Sequence, residues 1–289
     1  MGEIITILVL SLPLVGVYAI FAVGIVMIYR ASKVLNLAHG FMATLPAFLL
    51  LSLVGFGIPR LLGFVLAVVA GGLLGWLVER QFVRPFRAQG STSQTVGTVV
   101  VLGLGVALMA QIWGTSSQTG VAIFPEGSVR VGLASVQYGS IGLFATMLAI
   151  FAGLTALFKY TDLGLLLRGS AENPEAAALM GVNPQRMTAL TWIIGGSLAA
   201  VAGILFTAVA VVNAYTTPLQ ALGGFLAALI GGLENVTGAL LGALVVGLLL
   251  GAVPLIPVLS GIDGGGPLLL TLIGFAAMAA RGKTLVGAT

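Results

Sequence analysis

Few side chains here could carry covalent chemistry. The chain has one histidine, His39, and no cysteine among 289 residues. A multi-histidine metal cluster, a zinc–thiolate site, a thiol nucleophile and a Ser-His-Asp set built from several histidines are therefore excluded. Gly282-Lys283-Thr284 suggests a phosphate loop, but that loop needs a glycine five positions before the Gly-Lys pair, where Ala277 stands. It also needs a preceding strand, and the stretch follows an apolar run. What remains is polar and non-covalent. Asn36 and His39 lie in Leu35-Asn36-Leu37-Ala38-His39-Gly40, a polar pair inside an apolar run that meets Pro46 soon after. If the run is helical, the two side chains share one face. His39 then has three roles open to it: a structural hydrogen bond from ring to backbone, a group lining a pathway, or a proton relay.

A second polar stretch runs from Arg168 to Asn183 and reads as a short helix bracketed by stop and start signals. Asn173 suits an N-cap, and Pro174 suits the first helical position, where its missing N–H costs nothing. Glu175 favours the positive end of the helix dipole. Ala176, Ala177, Ala178 and Leu179 continue the helix, and Gly181 can adopt the left-handed stop. Asn183-Pro184 repeats the cap signal for the next segment. About seven residues of helix are marginal alone in water, so this one must pack on something. It either lies on the bilayer surface or docks its Ala/Leu/Met surface into a groove on a partner, with Arg168, Glu172 and Glu175 at the rim.

The elements that must position these groups follow from composition. Only 7% of residues are charged and 59% are apolar, against roughly 25% charged in a soluble domain. Such a chain cannot cover a water-soluble globule with polar surface. Apolar segments fall at 4–29, 34–54, 61–78, 93–112, 140–158, 187–212, 219–232, 238–253 and 267–280. None alternates as barrel strands do, and lipid offers backbone groups no partners, so each reads as helix. The fold class is an all-α polytopic membrane protein, a bundle of about eight or nine transmembrane segments. All of 1–289 reads as a single membrane domain, with one larger loop at about 159–186. Two segments are short or interrupted: the one holding Asn36, His39 and Gly40, and 219–232, which ends in Gly231-Gly232. Interrupted helices point to a transporter's pathway, so these five residues are pathway candidates. The 42 glycines include Gly238/Gly242 and Gly247/Gly251 at GxxxG spacing, suited to close helix packing.

Arg30, Lys33, Arg80, Arg84, Arg87, Lys159, Arg168, Arg186, Arg281 and Lys283 fall in one set of loops, and only Arg60 and Arg130 in the other. The first set is then cytoplasmic, the N-terminus outside and the C-terminus inside. The basic residues form no single stripe, which excludes a nucleic-acid partner. Asn235-Val236-Thr237 fits a glycosylation pattern but falls in a cytoplasmic turn, where that machinery is absent.

The stretch through Arg168, Glu172-Asn173-Pro174, Ala177 and Gly181-Val182 resembles a segment of the membrane subunits of bacterial ABC importers for branched-chain amino acids. Gly169 stands where that family usually has Ala. Asn36-Leu37-Ala38-His39-Gly40 resembles the family's segment near its second span. Ala227 to Leu233, with Gly238-Ala239, resembles a late glycine-rich segment, with Glu234-Asn235 replacing Gly-Ser. The resemblance implies a permease subunit in the bacterial inner membrane. Its partners would be a second related permease subunit, two cytoplasmic ATPases and an extracytoplasmic substrate-binding protein. ATP would be used by the partners, and no cofactor bound by this chain. The short helix becomes the coupling helix, with Arg168, Glu172, Asn173, Pro174, Glu175, Ala177, Ala178 and Gly181 as coupling residues. The alternative is an ion-driven secondary transporter, which usually holds carboxylates or histidines within its spans.

Overall fold

The computed structural model describes residues 2–131, 134–253 and 274. The expected segment 267–280, Arg281 and the Gly-Lys-Thr at 282–284 lie outside the described residues, Gly274 apart.

Among the described residues ten α-helices follow in order: α1 (Gly2–Ser32), α2 (His39–Gly55), α3 (Arg60–Val78), α4 (Ser91–Trp113), α5 (Tyr138–Tyr160), α6 (Asp162–Glu172), α7 (Pro174–Leu179), α8 (Pro184–Val209), α9 (Ala221–Gly231) and α10 (Val236–Ala252). Five of the described helical stretches are long and apolar enough to cross a membrane, and α2, α9 and α10 are shorter apolar helices. The helical polytopic architecture read from composition is the one observed.

The core is built round α1. Val17 to Met27 are buried on all sides, as expected of a helix apolar all round. It packs against α5, α8, α9 and α10. Close approach comes from small residues. Helix α3 buries Gly63, Ala67, Gly71, Gly72 and Gly75 along one stripe and exposes Leu62, Val65, Val69 and Leu73 elsewhere. A Cβ on Gly75 would overlap the Trp192 carbonyl of α8, so the two backbones touch there. The GxxxG pairs work the same way: Gly238 and Gly242 seat on α9 at Gly231 and Ala227, while Gly247 and Gly251 seat on α1 at Val15 and Ser11. With no hydrophobic drive between helices in lipid, such stripes are how packing is won.

Two ends can be told apart. Lys33, just after α1, forms an ion pair with Glu234 in the turn joining α9 to α10. The ends of α1 and α5 and the α6–α7 stretch share that basic face, where Arg30, Lys159, Arg168 and Thr237 surround one cavity. At the other end, the connection after α4 carries β1 (Gln118–Thr119), which pairs antiparallel with β4 (Val211–Val212) after α8. A hairpin of β2 (Ser128–Val131) and β3 (Ala134–Gln137) precedes α5. The short strands are an addition to the all-helical reading.

Candidate functional site

The short helix forms as its caps dictate. Asn173 Oδ1 accepts from the Ala176 N–H at 2.9 Å, and Pro174 opens α7. The C-terminus closes with Gly181 at φ 83°, a backbone region that favours glycine. The Gly181 N–H donates to Ala178 O and the Val182 N–H to Ala177 O, the paired bonds that satisfy a helix's last carbonyls. Asn183 Oδ1 then caps α8 through the Arg186 N–H at 3.1 Å. Ala177 faces inward and is buried, while Glu172, Glu175 and Ala178 face out. Leu179 and Met180 stand 90% and 86% exposed, an apolar pair that nothing among the described residues covers.

The stretch before α7 is helical as well, which the cap signals at 173–183 did not reveal. Thr161 Oγ1 accepts from the Gly164 N–H at 3.0 Å and opens α6. A Cβ on Gly164 would overlap the Leu157 carbonyl of α5, so α6 folds tightly back on that span, burying Leu167 and Ser170. Arg168 is half-buried and turned towards the spans rather than towards the rim of α7.

The pathway candidates divide between two places. Asn36 and His39 do not share a helix face, because 33–36 is non-helical and α2 begins only at His39. The reason lies in α4. Thr95 and Thr98 take the Leu35 and Leu37 N–H groups at 3.3 and 3.0 Å, holding the chain extended as it re-enters the bundle. Asn36 is linked to His39 through backbone instead, its carbonyl accepting from the His39 N–H at 3.1 Å.

Both side chains are buried. Asn36 Nδ2 lies 3.2 Å from Met42 Sδ, and Asn36 Oδ1 has no hydrogen-bond partner among the described residues. The His39 ring is fully enclosed, edge-on to Phe21 at 5.9 Å. Gly24 of α1 leaves it room, since a Cβ there would come 3.0 Å from the ring. Neither ring nitrogen has a partner among the described residues, so no ring-to-backbone hydrogen bond to them is present. Trp192 Nε1 on α8 is likewise unpartnered.

Gly40 belongs to this region and joins it to the other interrupted segment. A Cβ on Gly40 would overlap the Pro218 carbonyl, where a single 3-10 turn leads into α9. Gly231 and Gly232 lie at the far end of α9, roughly 16 Å away by helical rise over its 11 residues. There Gly231 abuts Gly238, and Gly232 at φ 97° ends the helix. These two glycines shape a turn and do not join the Asn36–His39 group.

Residues 7–273 match the family described as branched-chain amino acid transport system / permease component. The chain belongs to this family. The high-affinity branched-chain amino acid transport system permease protein LivH of Escherichia coli K12 is 30% identical over 249 residues, covering 80% of each chain. BraD of Pseudomonas aeruginosa, a permease protein of the same description, is 27% identical over 257 residues and 83% of each chain. A probable branched-chain amino acid transport permease protein LivH of Methanocaldococcus jannaschii is 27% identical over 237 residues, 79% of this chain and 74% of its own. No solved structure matches it. The permease is thus a transport component of a membrane system rather than an enzyme.

Two clusters in the permease escaped the sequence reading. Arg80, Arg84 and Arg87 sit on a helical extension of α3 (a π turn over Glu79–Val83 and a 3-10 turn over Arg84–Gln89), not in a loop. Glu79 is fully buried there, accepting from Arg84 Nη2 at 2.8 Å and Arg87 Nη2 at 3.1 Å. At the opposite end, Asn213 is a hub. Its Oδ1 accepts from the N–H groups of Tyr215 and Thr216 at 2.8 and 3.1 Å. Its Nδ2 donates to Thr115 O at 2.9 Å and Ser117 Oγ at 3.3 Å. The run Asn213-Ala214-Tyr215-Thr216-Thr217-Pro218 carried an Asx-turn signal that could have located it.

Proposed function

We propose that this permease pairs with a second related permease subunit to form the translocation pathway of an ABC importer in the bacterial inner membrane. The cargo is a branched-chain or related small amino acid, delivered by an extracytoplasmic substrate-binding protein. Two cytoplasmic ATPase subunits hydrolyse the ATP, and this chain binds no cofactor of its own. The basic face is cytoplasmic, the N-terminus outside and the C-terminus inside, in keeping with the bias of Lys and Arg. Residues 1–289 act as one permease domain whose loop at 159–186 is the coupling element.

The observation that carries this reading is α7: a rigid helix, capped at both ends, presenting Leu179 and Met180 almost fully bare. An apolar pair on a preorganised lever is suited to a groove on a motor subunit, since little conformational entropy is lost on docking. Asn173, Pro174 and Gly181 set its shape and Ala177 seats it on the bundle. Glu172, Glu175 and Ala178 face the ATPase, and Arg168 ties the lever to the spans. Asn36, His39 and Gly40 lie on the pathway, with Gly231 and Gly232 at the turn beyond α9.

Ala178→Trp or Glu172→Trp is expected to abolish ATP-driven uptake in proteoliposomes of the whole transporter while membrane insertion stays normal. Uptake driven by an ion gradient without any ATPase would overturn the proposal. The ion-driven alternative is poorly supported, because Glu79 is the one buried acid among the described residues and two arginines already neutralise it.

A further inference from the structure

A cavity of about 430 Å³ opens among α1, α5, α6, α8 and α10 at the basic face. Three cations line it: Arg30 from the last turn of α1, Lys159 from the end of α5, and Arg168 from α6. None forms an ion pair among the described residues. The carboxylates that do form ion pairs are Glu79, held by Arg84 and Arg87, and Glu234, held by Lys33. Arg168 reaches only the Gly164 carbonyl at 3.4 Å, and Lys159 lies over the Tyr160 ring. Three like charges round one cavity repel, so the arrangement asks for an anion.

The rest of the lining states which anion. Phe151, Leu154 and Phe158 form its apolar part, and Phe151 lies about 12 Å along α5 from Lys159 by helical rise. The cavity therefore grades from cationic at the helix ends to aromatic and aliphatic two turns deeper. Free phosphate or a nucleotide would satisfy the charges and leave that depth empty. A phosphate attached to an acyl chain satisfies both. A side approach is available, because α5 borders the cavity and has only 11% of its apolar stretch buried among the described residues.

We propose that this cavity is a binding site for an anionic phospholipid of the leaflet on the basic face. The headgroup phosphate sits among Arg30, Lys159 and Arg168, and an acyl chain lies along Phe151, Leu154 and Phe158. Basic pockets between membrane helices recognise anionic headgroups in this way. The site holds its lipid whichever solute the permease carries, and through Arg168 the lipid braces α6 against the spans.

The test uses the full-length chain in maltoside micelles, with thermal unfolding followed as dioleoylphosphatidylglycerol, dioleoylphosphatidylcholine or sodium phosphate is added. Phosphatidylglycerol should raise Tm by several degrees, and the other two should not. Arg30→Gln combined with Lys159→Gln should raise the half-saturating phosphatidylglycerol concentration roughly tenfold or more. Arg80→Gln, a cation outside the cavity, should leave it unchanged. Thr155→Trp fills the lining without altering a charge, and should abolish the increment even if the double variant fails to fold. An equal rise with phosphatidylcholine, a rise reproduced by inorganic phosphate, or an equal loss in Arg80→Gln would each overturn the assignment.

Discussion

Two asparagines are buried in this apolar bundle, and they are treated in opposite ways. Asn213 sits where the connection after α4 meets the chain leaving α8, and its amide makes four hydrogen bonds while its own N–H donates to Thr217 Oγ1. Asn36 sits where the chain re-enters the bundle before α2, and its side-chain oxygen meets no donor among the described residues. His39, three residues on, and Trp192 on α8 are also unpartnered among the described residues. A buried polar group without a partner costs about 1–3 kcal/mol, so the second region bears a cost the first avoids. The Asn213 corner is a joint built to stay as it is. The Asn36–His39 region leaves polar groups without partners among the described residues, which fits the pathway role proposed for it.

The largest effect expected from breaking this contrast is at the satisfied end. Asn213→Ala strips partners from two N–H donors and the Thr115 carbonyl at once. At about 1 kcal/mol or more for each, stability should fall by about 3 kcal/mol. Thermal unfolding of the purified permease would register this as a lower Tm. A Tm within error of the parent would mean that the corner is not held by this side chain.

A smaller change in stability, with a larger one in function, is expected at His39. Its ring has no hydrogen bond to lose, so His39→Leu should leave Tm unchanged or slightly higher while uptake falls. His39→Gln keeps polar capacity in the same enclosure and should retain most uptake. Complete loss in His39→Gln with normal assembly would assign a proton relay to the ring. A fall in Tm as large as that of Asn213→Ala would show that the ring is paired in the resting protein and would erase the contrast.

What could be read along the chain divides by how local its cause is. The caps of α7 act within a few residues, so the residue types of Asn173, Pro174 and Gly181 are enough to place both its ends. Helix α6 carries a cap of its own at Thr161, but its buried stripe of Gly164, Leu167 and Ser170 makes sense only against α5 and α8. The helix face proposed for Asn36 and His39 failed for a non-local reason: two α4 threonines, about 60 residues on, capture the intervening backbone. The burial of Glu79 has a nearer cause that residue types alone do not show: the π and 3-10 turns bring Arg84 and Arg87 round to its carboxylate. Orientation rests on charge bias alone, and the Lys33–Glu234 pair adds that the two turns share a face.

The smallest expected effect sharpens the contrast most, because it isolates one atom. Trp192 is fully buried on α8, its carbonyl receives Gly75 of α3 at close approach, and its indole N–H lacks a partner among the described residues. Trp192→Phe removes that donor and keeps an aromatic ring. The lost ring volume costs stability, and the relief of an unsatisfied N–H returns about 1 kcal/mol or more. The net loss of stability should therefore be well below the roughly 3–5 kcal/mol typical of large truncations of a buried aromatic, and the drop in Tm correspondingly small. Uptake discriminates further. If the N–H serves only packing, transport by Trp192→Phe stays at the parent level. If it becomes a donor when the helices rearrange, transport falls by more than the small loss of stability accounts for, and the fall should not add to that of His39→Leu in the double variant.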